Sequence, residues 1–99
     1  MTHRLVYRPR AAQDLDNIYD WIANWADPES AREIVGRIEK RCEGLALFPN
    51  RGTPHPEVCE GLRTVVTGKA VIAYIVDGPE VVILHVKYGG QELRGSNLG

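Results

Sequence analysis

A chain of 99 residues has the length of one small domain, and a core of that size buries about 60–65% of the unfolded surface without disulfides or metals to hold it. A hydrophobic content of 43% with 25% charged residues excludes a disordered chain, and no apolar run is long enough to cross a membrane. The net charge of −1 argues against a dedicated binder of specific nucleic-acid sequences, which needs a basic excess to offset phosphate.

No signal-peptide pattern opens the chain, so the expected compartment is the cytoplasm. Arg4–Tyr7 reads as a short strand. Pro9 then suits the first turn of a helix, where its missing N–H is no loss. From Arg10 to about Trp25 the apolar residues Ala11, Leu15, Ile18, Tyr19, Ile22 and Trp25 recur at helical spacing, with Trp25 expected to close the core. Asp14, Asp16 and Asp20 are assigned to the opposite, wet side, and Trp21 to one flank of the stripe. Asp27-Pro28-Glu29 starts a second helix: an N-cap aspartate, proline at the first position, an acid in the first turn. Its stripe is Ala31, Ile34, Val35, Ile38, Cys42 and Leu45, running to about Leu47. Gly36 is expected to allow close packing against the first helix. So short a connection makes the pair an antiparallel hairpin.

Pro49 ends the second helix, and Asn50–Glu60 reads as a loop without periodicity. Three strands follow: Leu62–Thr67, Ala70–Val76 and Val81–Lys87. Gly68-Lys69 and Asp77-Gly78 separate them, and connections this short make an antiparallel meander. The middle strand is apolar on both faces and is expected to be covered, at least partly, on both sides. Ile72 and Tyr74 are assigned to the side that meets the helices. The fold class is α+β: an N-terminal strand joining the sheet at an edge, a helical hairpin, then the meander, all in one domain of residues 1–99 with a flexible tail from about residue 89.

The ordered words carry a resemblance. Arg8-Pro9-Arg10-Ala11 with Asp14-Leu15 and Ile18-Tyr19 opens the first helix; Leu45, near the end of the second, is followed by Pro49 and Gly52. Then come Glu60-Gly61-Leu62-Arg63, Gly68-Lys69, Ile72-Ala73-Tyr74-Ile75-Val76, and Val82 to Val86 leading into Tyr88-Gly89. Together, over roughly Leu5 to Leu93, these resemble the RelE/ParE toxin superfamily, and its ParE branch most closely. The resemblance implies a toxin of a type II toxin–antitoxin pair, neutralised by a cognate antitoxin. For ParE-like members it implies DNA gyrase as target; for RelE-like members, ribosome-dependent mRNA cleavage. Where the family often has an N-cap serine this chain has Arg8. RNA-cleaving members resemble one another in an arginine on the middle strand and a basic cluster after the last strand. Here Val71 and then Gly89, Gly90 and Gln91 stand in those places, which favours protein binding over RNA cleavage.

Cleavage by 2′-OH attack needs a base, an acid and positive charge near the phosphate, for which the candidates are Arg63, His85, Lys87 and Tyr88. For a protein target the candidates are Lys87, Tyr88, Leu93 and Arg94, a cation, an aromatic, an aliphatic and a guanidinium on a segment expected to be flexible. Trp21 and Arg63 are the candidate antitoxin contacts. His55 and Cys59 have no second ligand pair, so neither metal nor cofactor is expected.

Overall fold

The computed structural model describes residues 2–89. Its elements are β1 (Arg4–Tyr7), α1 (Pro9–Trp25), α2 (Pro28–Leu47), a single 3-10 turn (Pro49–Arg51), β2 (Thr53–Pro54), β3 (Arg63–Thr67), β4 (Ala70–Asp77) and β5 (Glu80–Tyr88). The two helices start differently. Arg8 precedes α1 with extended backbone but no side-chain bond, because a guanidinium has no acceptor to offer the free N–H groups. Asp27 caps α2 by accepting a 2.6 Å hydrogen bond from the Ser30 N–H, which holds its carboxyl below the usual carboxylate range.

The α+β class stands, but the sheet is five-stranded and mixed, in the order β1-β5-β4-β3-β2. β1 runs parallel to β5, with Arg4 opposite Glu80 and Tyr7 opposite Ile83. The loop expected over Asn50–Glu60 contributes the two residues of β2 against Arg63 and Thr64. Ala73 pairs with His85 but Tyr74 with Ile83, so Leu84 is an extra residue, a β-bulge. The bulge reverses which residues face the helices. Val81 and Ile83 are buried before it; Val86 and Tyr88 are buried after it.

The core forms where α1 and α2 cover one face of the sheet: Ala11, Leu15, Ile18 and Ile22 from α1, Ala31, Ile38, Cys42 and Leu45 from α2, and Ile72 and Tyr74 from β4. The other face of β4, Val71, Ala73 and Ile75, is only half-buried, so the helices cover one side, not both. Two helix assignments also change. Trp25 is 74% exposed and does not close the core, because the last turn of α1 lies at the hairpin tip where the sheet no longer backs it. Gly36 is exposed, with open space where a Cβ would stand, so it is not a close-packing residue.

Candidate functional site

The four candidate acid–base groups do not converge. Arg63 shares the helix-facing side of β3 with buried Val65. Its Nη1 donates to the carbonyls of Asn50 (3.1 Å) and Gly52 (2.7 Å). The guanidinium therefore pins the 3-10 turn through Nη1. Tyr88 is 9% exposed and also faces the helices. It belongs to β5, not to a flexible segment. Only His85 and Lys87 share the opposite face, two residues apart on one strand.

His85 sits where β5 outruns β1. Past Tyr7 the edge of β5 has no strand beside it, and Asp14 of α1 fills the gap. Its Oδ2 accepts the Val86 N–H at 2.9 Å and lies 3.4 Å from His85 Nδ1, while Oδ1 meets Arg10 Nε at 3.3 Å. Asp14 is thus an edge cap with a side chain only 13% exposed, not a member of a wet face. Its position signals this: three residues after Ala11 and four before Ile18, it flanks the buried stripe.

A second arrangement closes the other end of the sheet. Tyr74 is fully buried; its hydroxyl donates to the Pro49 carbonyl at 2.7 Å and accepts the Gly52 N–H at 2.9 Å. Gly52 has an ordinary extended backbone (φ −69°), yet a Cβ there would lie 2.6 Å from the Tyr74 hydroxyl and 2.9 Å from the Thr64 carbonyl. Glycine is required by close approach. In the following loop, His55 Nε2 meets Thr64 Oγ1 at 2.8 Å and Nδ1 faces Glu57 at 3.4 Å. One ring nitrogen is thereby engaged with β3 and the other within the loop, and among the described residues no group of three potential ligands could hold a metal.

The structure does bring Trp21 and Tyr88 together. Their ring centroids lie 5.9 Å apart, and Trp21 stands another 5.9 Å from Trp25. The three rings make a ladder from the buried end of β5 to the exposed tip of the helical hairpin. Aromatic pairs at this spacing and tilt are favourable beyond their buried area. Trp25 is the member that periodicity misplaced. Leu93 and Arg94 lie outside the described residues.

The sequence matches the family model described as the ParE toxin of the type II toxin–antitoxin system, parDE, over residues 5–93. The chain belongs to the ParE toxin family. A chain from the chromosomal ParDE toxin–antitoxin system of Pseudomonas aeruginosa is similar in structure, with a TM-score of 0.76 and 29% identity over 88% of this chain and 96% of that one. The RelBE2 toxin–antitoxin complex of Mycobacterium tuberculosis holds a chain with the same fold, with a TM-score of 0.71 and 20% identity over 89% of this chain and 99% of that one. A conserved hypothetical protein from Helicobacter pylori has the fold at a TM-score of 0.53 and 17% identity, over 89% of this chain and 96% of that one. No curated protein matches the sequence. The ParE match takes in the Asp14 edge cap, the pinned 3-10 turn and all three rings of the ladder. Among the described residues, no helix of this ParE-family chain is long and apolar enough to cross a membrane.

Proposed function

We propose that this chain is a toxin that acts by binding DNA gyrase, in the cytoplasm, and that a cognate antitoxin neutralises it. The observation that carries the reading is a contrast. The candidate acid–base groups divide between two faces of the sheet, whereas the aromatic groups gather into one ladder that ends in an exposed ring. Catalysis needs groups converging on one reacting atom. Binding needs an apolar surface of defined shape, and the exposed Trp25 ring at the tip of the helical hairpin, backed by Trp21, supplies one. Tyr88 anchors the proposed target-facing surface under Trp21; Lys87, Leu93 and Arg94 remain proposed target contacts, Lys87 from the opposite face of β5. The antitoxin reading draws on the Pseudomonas relative, whose structure is of a ParDE toxin–antitoxin system. Antitoxin segments of this kind fold on binding, and such a complex buries well over roughly 1,000 Å² in total.

The test is to add purified protein to a gyrase supercoiling reaction and, separately, to a translation reaction. The expected result is blocked supercoiling or trapped cleaved DNA, with transcripts intact. Cleaved transcripts beside normal gyrase activity would overturn it and favour a RelE-like ribosome-dependent endoribonuclease. His85→Ala would then be expected to abolish cleavage.

A further inference from the structure

Between α1 and α2, above β1, lies a groove of about 300 Å³ that none of the roles above uses. Tyr7, Leu15, Tyr19 and Val35 make it apolar, and the carboxylates of Asp16 and Glu39 stand on its rim, both exposed. Neither carboxylate forms an ion pair among the described residues. The Tyr7 hydroxyl is pushed well above its ordinary pKa, first by burial and then by the Cys42 thiol, with Glu39 and Glu43 adding to it. Glu39 and Glu43 add a smaller negative contribution at the floor of the groove.

Two phenol rings, two aliphatic side chains and two unpaired carboxylates make a particular kind of receptor. An acidic ligand is repelled, and a purely apolar one leaves the carboxylates unused. A lysine ammonium satisfies the charge but not the rings. A guanidinium suits all three features: its plane stacks on aromatic faces, its N–H groups fork onto carboxylates, and its stem lies on aliphatic surface.

We propose that this groove receives an arginine side chain of the cognate antitoxin, stacked on Tyr7 or Tyr19 and held by Asp16 and Glu39. The inference rests on the antitoxin reading above and adds the chemistry of one contact to it. The groove lies along a helical hairpin, a surface that takes one face of an amphipathic partner helix or an extended segment. The arginine then fixes the register of that segment.

The experiment measures the affinity of purified protein for its co-encoded antitoxin at two salt concentrations, for wild type, the Asp16→Asn/Glu39→Gln double variant, and Glu29→Gln as an exposed control on the same hairpin. The amide variants keep the shape of the groove and remove only charge, and thermal unfolding checks that both fold. The expected result is binding weakened at least about tenfold in the double variant, with a shallower salt dependence, while the control stays within about twofold. Tyr19→Leu, which keeps the apolar cover and removes the ring, should weaken binding in the same direction. An unchanged affinity and salt slope in the double variant, or an equal loss in the control, overturns the groove while leaving the antitoxin reading intact. A wild-type protein that does not bind the antitoxin at roughly micromolar concentration overturns both.

Discussion

Two tyrosines mark the two ends of the sheet and are held in different ways. Tyr74 is closed in by directed bonds: its hydroxyl is shared between a carbonyl and an N–H of the 3-10 segment, and Arg63 binds two more carbonyls there. Tyr88 is closed in by a tilted ring contact with Trp21, and a second tilted contact continues outward to Trp25. Directed bonds fix a loop to one geometry. Ring contacts bury one ring against the next and leave the last ring bare. The first end therefore reads as architecture and the second as contact surface, a distinction invisible in residue type alone.

The largest expected effect lies at the first end. Ile72→Ala, beside Tyr74 in the fully buried centre of β4, should cost about 2–5 kcal/mol in the urea or guanidinium midpoint. An unchanged midpoint would place that face of the sheet in solvent. Gly52→Ala sharpens the same point, because the added methyl group must displace the Tyr74 hydroxyl. Overpacking of this kind should cost about 1–3 kcal/mol, and a Tyr74→Phe background should relieve only part of it, because the ring Cε1 at 2.8 Å and the Thr64 carbonyl at 2.9 Å remain in the way.

The buried thiol of α2 supplies a pH test of the shared core. Burial pushes Cys42 up to about 11 from 9.0, so the unfolded chain loses that proton first as pH rises. Its contribution is complete below about pH 9 and declines toward pH 11, by on the order of 2 kcal/mol. Cys42→Ala should flatten that alkaline decline, leaving the part that belongs to Tyr7. A wild-type stability curve that is level across this window would contradict the burial.

At the second end the expected costs in stability are smaller. Asp14→Ala strands the Val86 N–H at the edge of β5, where water can partly replace the carboxylate; a loss on the order of 1 kcal/mol is expected, with faster amide exchange at Val86. Trp25→Ala should change stability by less than about 0.5 kcal/mol, since the ring is mostly exposed, yet it should reduce the proposed gyrase inhibition. A Trp25 variant that unfolds early, or one that inhibits as well as wild type, would erase the contrast between the two ends.

Much of this molecule follows from local patterns. The Asp27-Pro28 start, the four- and three-residue spacing of Ala11, Leu15, Ile18 and Ile22, and the Gly68 and Gly78 turns, both at positive φ, act within a few residues, so the sequence alone determines where elements begin and end. Membership of the ParE family was legible for the same reason, since the ordered words track those elements. The site was less legible. The alternation of β5 breaks at Leu84, and nothing local shows that a bulge there turns Tyr88 inward and His85 outward; that depends on register with β4. The spacing puts Asp14 beside the buried stripe, but its role as a cap follows only once β1 proves shorter than β5 and leaves an N–H to be capped. Arg63 looks available until the 3-10 turn arrives beneath it. In each case the deciding partner lies many residues away in the chain. Periodicity reports which face a residue occupies within its own element, but only tertiary packing decides what stands opposite that face.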